Sequence, residues 1–334
     1  MRRCFDLTRQ GFLGVSAAAI APLAVAAGVG EARADEKARP VIKKLGTIDL
    51  DLVETSPVVF KNKLYRFEYV RAGYWNNTTG DSYFRFVDRA GTPGPAFAKG
   101  YHLGSAAVFG DLAVVTCVNI WDGERVEVFA SHDLEAWEQW NALDLKGYGM
   151  FNTSLCKAPT GTSGDEYVLM FEVGKPPEVA GNPFTARFAK SRDLHSWTLT
   201  PPECTYSKDR YTAPHCLRYL DGWFYDFYLE AVKGGYEQCV VRSKDLANWE
   251  LSPLNPVLRA SPEDKQIANE KLSEPQREKI ANAGNINNSD IDFCQYEGRL
   301  VINYSWGNQQ GIEFLAEAVY DGTEAEFLRG WFPK

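Results

Sequence analysis

The heptapeptide Ser131-His132-Asp133-Leu134-Glu135-Ala136-Trp137 returns as Ser191-Arg192-Asp193-Leu194-His195-Ser196-Trp197 and again as Ser243-Lys244-Asp245-Leu246-Ala247-Asn248-Trp249. Three copies of Ser-x-Asp-Leu-x-x-Trp, roughly 50–60 residues apart, point to a repeat architecture whose units bury their faces against each other. Alternating apolar residues run into the motif, as at Val126, Val128 and Ala130. Ser-x-Asp then favours a tight turn, because short oxygen side chains bond nearby backbone N–H groups. Leu and Trp follow on the far side as an apolar pin. Each unit therefore reads as a small antiparallel sheet closed by a hairpin, the size of a propeller blade.

Five comparable segments follow from the pattern: a polar opening, an apolar strand, a turn and an aromatic-rich second strand. They open at Glu54, His102, Phe151, Tyr211 and Asn288. The motif hairpins supply outer strands for the second, third and fourth. Tyr83 to Val87 and Phe314 to Tyr320 read as third strands of the first and fifth, and Leu45 to Leu50 is a candidate to complete the last. Closing five sheets into a ring removes the open ends of a linear stack. The expected fold is all-β, a five-bladed β-propeller over residues 35–334. Pro262 to Ala283 breaks the pattern: it is charged, and Ile267, Ala268, Leu272 and Ile280 recur at loosely helical spacing. It is expected to be a short helical insertion between blades 4 and 5, either a solvated excursion or a lid on the central pocket.

Residues 1–34 read as an export signal. Arg2, Arg3 and Arg9 precede an Ala-rich apolar run from Gly11 to Val29, and Ala32-Arg33-Ala34 offers small residues for cleavage. Gln10 stands where a twin-arginine signal has its second Arg, so the route stays open. Pro22 and the Ala/Gly content make the run a poor permanent span, so no membrane partner is expected after its removal. Losing this segment takes away four Arg against Asp6 and Glu31 and deepens the net charge of −8 to about −10. Such an acidic body argues against nucleic acid and anionic membranes. The six remaining Cys (117, 156, 204, 216, 239 and 294) are scattered without C-x-x-C pairs, which speaks against zinc and for buried thiols.

Five units, Ser-x-Asp-Leu-x-x-Trp hairpins and blade openings such as Thr212-Ala213-Pro214-His215 resemble the five-bladed β-propeller glycoside hydrolases, both the arabinofuranosidase/xylosidase-like and the neoagarobiose-hydrolase-like enzymes. The similarity spans the mature chain. It implies a base on the first blade, a modulating acid near the middle and a general acid on a later blade, around a pocket lined by the inner strand starts. Here Glu54 opens the first blade, but Asn152-Thr153 stands where the third would carry Asp, and Thr212-Ala213-Pro214-His215 where the fourth would carry Glu-x-Pro. The substitutions lean toward the neoagarobiose-hydrolase-like branch, in which a histidine is the acid candidate.

Glycoside hydrolysis needs two groups of opposite protonation state across the scissile bond. Glu54 is the candidate base. Glu230 or His215 is the candidate acid. Asp290 is the candidate modulator, with Asp292 two residues on and nominally on the same strand face. Glu172 and Glu230 end equivalent apolar strands, where a carboxylate suggests either a pocket or plain solvent. His102 opens the second blade; a packed, hydrogen-bonded ring is the commoner fate of any one histidine. Asn152, Trp75, Trp306, Asn308 and Gln309 join His102, Glu172 and Asp292 as candidate sugar contacts: indole for the apolar ring face, amides for hydroxyls. Arg71 and Arg85 would meet an anionic sugar or form ion pairs between blades. The expected protein is an exported, periplasmic or secreted, glycoside hydrolase that needs no cofactor, with room for a structural cation on the axis. It would cleave a terminal sugar from an oligo- or polysaccharide. The alternatives are a non-catalytic carbohydrate-binding propeller, or a phosphorylase on the same scaffold, which would need a cluster of basic residues for phosphate.

Overall fold

The computed structural model describes residues 39–71, 81–159, 164–309 and 311–333. Residues 1–34, expected above to be an export signal, and Trp75 lie outside them. The described chain is all-β apart from short helices. Unit I comprises Thr55–Phe60, Lys63–Arg71 and Ser82–Asp88. Unit II comprises His102–Phe109, Leu112–Val118, Arg125–Ser131 and Glu138–Asp144. Unit III comprises Gly149–Pro159, Asp165–Lys175 and Thr185–Ser191, edged by two two-residue strands. Unit IV comprises His215–Leu220, Trp223–Val232 and Gly235–Ser243, edged by Trp249–Leu251 and Leu258–Arg259. Unit V comprises Asn287–Tyr296, Arg299–Gly307, Glu313–Tyr320 and, returning from the start of the chain, Lys43–Leu50. Strands within a unit are antiparallel, and units IV and V are bridged by one parallel pair, Tyr236 with Asn287. The opening strands touch in a closed cycle: I with II, II with III, III with IV, IV with V and V with I.

The first strand of the chain closes the cycle by pairing with Glu313–Tyr320, from Lys43 opposite Val319 to Leu50 opposite Phe314. Every ladder hydrogen bond in this seal joins residues more than 250 positions apart, so it forms only when the chain has come full circle. The helical insertion, a 3-10 turn at Pro262–Lys265 and a helix at Glu274–Asn282, lies between units IV and V in the chain. It is fastened to the closing strand rather than spread over the axis. Thr47 donates its N–H to Gln266 O (2.7 Å) and its hydroxyl to Asp264 O (2.7 Å). Asp264, fully buried, accepts from Lys44 Nζ at 2.7 Å and Tyr304 O–H at 2.8 Å.

In the three motif hairpins the Ser hydroxyl and the Asp carboxylate accept the backbone N–H groups of the turn. Asp133 takes Glu135 and Ala136, both at 2.8 Å; Asp193 takes His195 and Ser196; Asp245 takes Ala247 and Asn248. These bonds hold the buried Leu134, Leu194 and Leu246 at φ of 65°, 65° and 66°, a left-handed conformation that costs about 1–2 kcal/mol on its own. The N–H groups of Ser196 and His195 hold the Asp193 carboxyl down to about 2. The hairpins also join units: Trp140 of unit II donates to Leu194 O at 2.7 Å and stacks on His195.

Three apolar clusters fill the seams between units I, II and III, between III and IV, and between IV and V. The seam between V and I holds only Ile48, Leu52 and Leu315, with Val70 against them. All six described cysteines are free, and five are buried. No described helix is long and apolar enough to cross a membrane.

Candidate active site

All five opening strands end on one axial cavity of about 40 Å³, lined by Glu54 and Ser56 of unit I, Ser105 of II, Asn152 and Ser154 of III, His215 and Cys216 of IV, and Asp290 and Asp292 of V. A space of this size holds a few water molecules and no sugar ring. Substrate chemistry therefore belongs at its rim. Polar side chains face the axis because five converging strands leave no room for large apolar ones. Three of these strands have irregular pairing at the axial end. Their pairing slips between His102 and Ser105 and between Ser289 and Asp292, with Leu103 at φ 54° and Asp290 at φ 53°, and a third opening strand slips likewise between Met150 and Thr153. Bulges re-aim side chains next to functional sites.

Glu54 is at the rim, its side chain 10% exposed, with Arg71 Nη2 3.7 Å away. Arg71 ends the second strand of unit I and lies over the rings of Tyr69 (5.0 Å) and Trp121 (5.7 Å). The Tyr69 hydroxyl is 2.5 Å from His102 Nδ1. Burial, with Arg71 nearby, pushes His102 down to about 4, so its ring is neutral near pH 7. His102 is thus a fully buried bridge between units I and II, and it does not line the cavity.

Asn152 lines the cavity, and its Nδ2 donates to Glu172 Oε2 at 3.0 Å, which places the fully buried Glu172 one layer behind. His215 also lines the cavity, with a completely buried side chain held at both nitrogens: Asp226 Oδ2 is 2.8 Å from Nδ1 and Thr212 Oγ1 is 3.2 Å from Nε2. Burial works against a charge on His215, but Asp226 outweighs it and raises the imidazole's pKa. Glu230 is not among the cavity's lining residues. It stands half-buried at a strand end of unit IV, both oxygens 3.0 Å from Arg210 Nε, and Arg210 in turn bonds Tyr206 O–H at 2.7 Å.

Asp290 accepts from the hydroxyls of Ser289 (2.6 Å) and Ser305 (3.1 Å). Asp292 is engaged by the half-buried Arg218 and by Phe293 N–H at 2.7 Å. The bulge corrects the sequence reading here: both aspartates line the cavity, but the alternation that would set them on one strand face is broken between them. Trp306 requires a second correction. Its indole is fully buried, stacked on Phe314 at 4.4 Å, and donates to Thr47 Oγ1 at 2.9 Å. It belongs to the closure of unit V and presents no face to a sugar. Asn308 and Gln309 brace the next turn: Asn308 Oδ1 accepts Ile312 N–H, and Gln309 N–H donates to Glu313 Oε1 at 2.7 Å. Trp75 lies outside the described residues.

The aromatic residues that do sit near the rim escaped the sequence reading. From His102 an arc of ring contacts runs through Trp121 (6.5 Å), Phe151 (5.9 Å), Phe184 (4.6 Å), Tyr211 (5.7 Å) and Tyr236 (6.2 Å), from unit II round to unit IV. Trp121, Phe184, Tyr211 and Tyr236 are half-buried. All four flank strands in connecting segments or at strand ends, where periodicity carries no signal. Among the described residues no three His, Cys, Asp or Glu side chains converge as a metal site.

The chain matches no known family profile and no curated protein sequence. Solved structures do match its fold. One, described only as "Glycoside hydrolase", superposes with a TM-score of 0.58 at 13% identity, covering 88% of this chain and 96% of that one. The α-L-arabinofuranosidase PaAbf62A from Podospora anserina, in complex with cellotriose, gives 0.57 at 7% identity over 85% and 99%. The catalytic domain of the Coprinopsis cinerea α-L-arabinofuranosidase gives 0.54 at 9% over 85% and 98%. At these identities the likeness is one of architecture, and the architecture is that of the β-propeller glycoside hydrolases of arabinofuranosidase and xylosidase type.

Proposed function

We propose that the protein is an exported glycoside hydrolase, a five-bladed propeller with its helical insertion between blades 4 and 5, that removes a terminal sugar from an oligo- or polysaccharide at the rim of the axial cavity. The observation that carries this reading is the convergence of all five opening strands on one polar cavity with a carboxylate, Glu54, at its edge. Glu54 takes a proton from the attacking water, and Arg71 balances its charge. Glu230, half-buried at a strand end of unit IV, gives a proton to the departing glycosidic oxygen, with Arg210 fixing its orientation. His215 suits an internal role better than the acid's, since both of its nitrogens are bonded and its side chain is buried. Asp290 orients groups on the unit V side. The arc from Trp121 to Tyr236 offers apolar faces to pyranose or furanose rings. Residues 1–34 supply the export signal, delivering the domain to the periplasm or the exterior.

Glu54→Gln keeps the shape of the side chain and removes its basicity. Turnover of a terminal-sugar substrate should fall by about 10²–10⁴-fold with the folding transition unchanged. Unaltered turnover would exclude Glu54 from the reaction. A second reading, a sugar-binding propeller without catalysis, draws on the amide of Asn152 standing where the third unit would carry an acid. Glycan binding with no turnover by the wild-type chain, across a broad panel, would establish it.

A further inference from the structure

The seam between units V and I differs from the other four. Where those are filled by apolar clusters, this one leaves a cavity of about 670 Å³ that shares no lining residue with the axial cavity. Its floor is a charged cluster on unit I. Glu68, fully buried, accepts Arg66 Nε at 2.8 Å and Arg85 Nε at 2.7 Å. Nη1 of each arginine has no partner among the described residues. The facing wall, on unit V, carries Asn303 directly opposite Glu317 in the strand register. Asn303 is 2% exposed, and its side chain has no hydrogen-bond partner among the described residues. The amide opens onto the cavity, where it offers a donor and an acceptor to an occupant. Glu317 forms no ion pair within 4 Å among the described residues, and burial raises its pKa despite Arg89 nearby.

We infer that this seam is a second, off-axis binding site for a neutral oligosaccharide. The volume is that of a small-molecule site and fits two sugar units. The wall combines planar guanidinium, amide and carboxyl groups, which match pairs of neighbouring hydroxyls, with apolar patches such as Pro57 and Val87 for C–H faces. Three arginines and Lys271 face five carboxylates, a near balance that favours neither an anion nor a strongly charged cation. The choice of a glycan over another neutral polyol rests on the proposed hydrolase function; the site itself does not.

The test is surface plasmon resonance with the full chain over xylotriose, cellotriose and arabinotriose, comparing wild type with Asn303→Leu and Ala90→Trp. Asn303→Leu removes the unpartnered amide. Ala90→Trp places an indole at the cavity mouth from an exposed turn, so it disturbs no buried contact. At least one trisaccharide should bind the wild type and lose affinity at least about tenfold in both variants, with turnover of a small aryl glycoside unchanged. If nothing binds, or if every affinity is the same in the correctly folded Ala90→Trp protein, the inference is wrong. Binding lost in these variants from a protein that cleaves no glycan would sink the hydrolase reading and leave the seam site standing.

Discussion

The ring depends on one buried carboxylate, and its removal has a calculable cost. Asp264 receives five donors: Lys44 Nζ (2.7 Å) and Tyr304 O–H (2.8 Å) at Oδ1, and Ser261 N–H (2.9 Å), Asn285 Nδ2 (2.8 Å) and Asn288 Nδ2 (3.0 Å) at Oδ2. In Asp264→Asn one oxygen becomes an NH₂ group. If it replaces Oδ2, it faces three N–H donors; if it replaces Oδ1, it faces the Lys44 ammonium. The second is the lesser conflict, and it leaves Lys44, 11% exposed, as an uncompensated cation. Breaking a buried pair from one side costs about 3–5 kcal/mol. For a folded body of about 300 residues, at about 2.1 cal/mol/K per residue, that is a fall in Tm of roughly 4–8 °C. Burial already lowers the Lys44 pKa against the pull of Asp264, so the deficit should shrink at alkaline pH as Lys44 sheds its proton. Adding Lys44→Met should recover part of the loss, with a coupling of about 2 kcal/mol in the double-mutant cycle. Scanning calorimetry measures all of this. A Tm within about 1 °C of wild type would mean that the insertion does not fasten the closing strand.

The other predictions concern titration and core packing. The His215 pKa is raised in the folded state, so its charge contributes stability that is present below about pH 6.5 and lost as pH rises through the higher folded value, while burial also raises Asp226, so the pair weakens again in acid as that carboxylate takes up a proton. Thermal stability should therefore decline above that pH, and Asp226→Asn should flatten the decline; an identical slope in the variant would refute the pairing. Asp193 is depressed to about 2, so its hairpin stabilises above about pH 4 and fails as pH drops toward 2. Asp193→Asn should blunt that acid limb in a melting series. Trp306→Phe should cost about 1–3 kcal/mol in denaturant titrations, from lost volume and the lost bond to Thr47, and leave sugar affinity unaltered. Weakened sugar binding at full stability would restore Trp306 to the site.

How much of this was readable beforehand depends on the reach of each interaction. The hairpins were legible because Ser-x-Asp bonds its own next three residues. Glu54 was legible because it opens a unit. Trp306 misled because the face of its strand that is buried is decided by Thr47, 259 residues earlier in the chain. The separation of Asp290 from Asp292 was hidden in a bulge that alternation cannot express. The seam left a trace in the sequence that local pattern alone does not interpret. Arg66 and Glu68 occupy alternate positions of one strand, and Arg85 pairs with Glu68 across the ladder, with Asn303 and Glu317 paired likewise on unit V. Charges at period two ordinarily mark a strand face turned to water. In a closed ring both faces of every unit meet a neighbour, so the same pattern marks a polar interface. Of the five seams, the one sealed last by the distant closing strand keeps a cavity where the others keep a core.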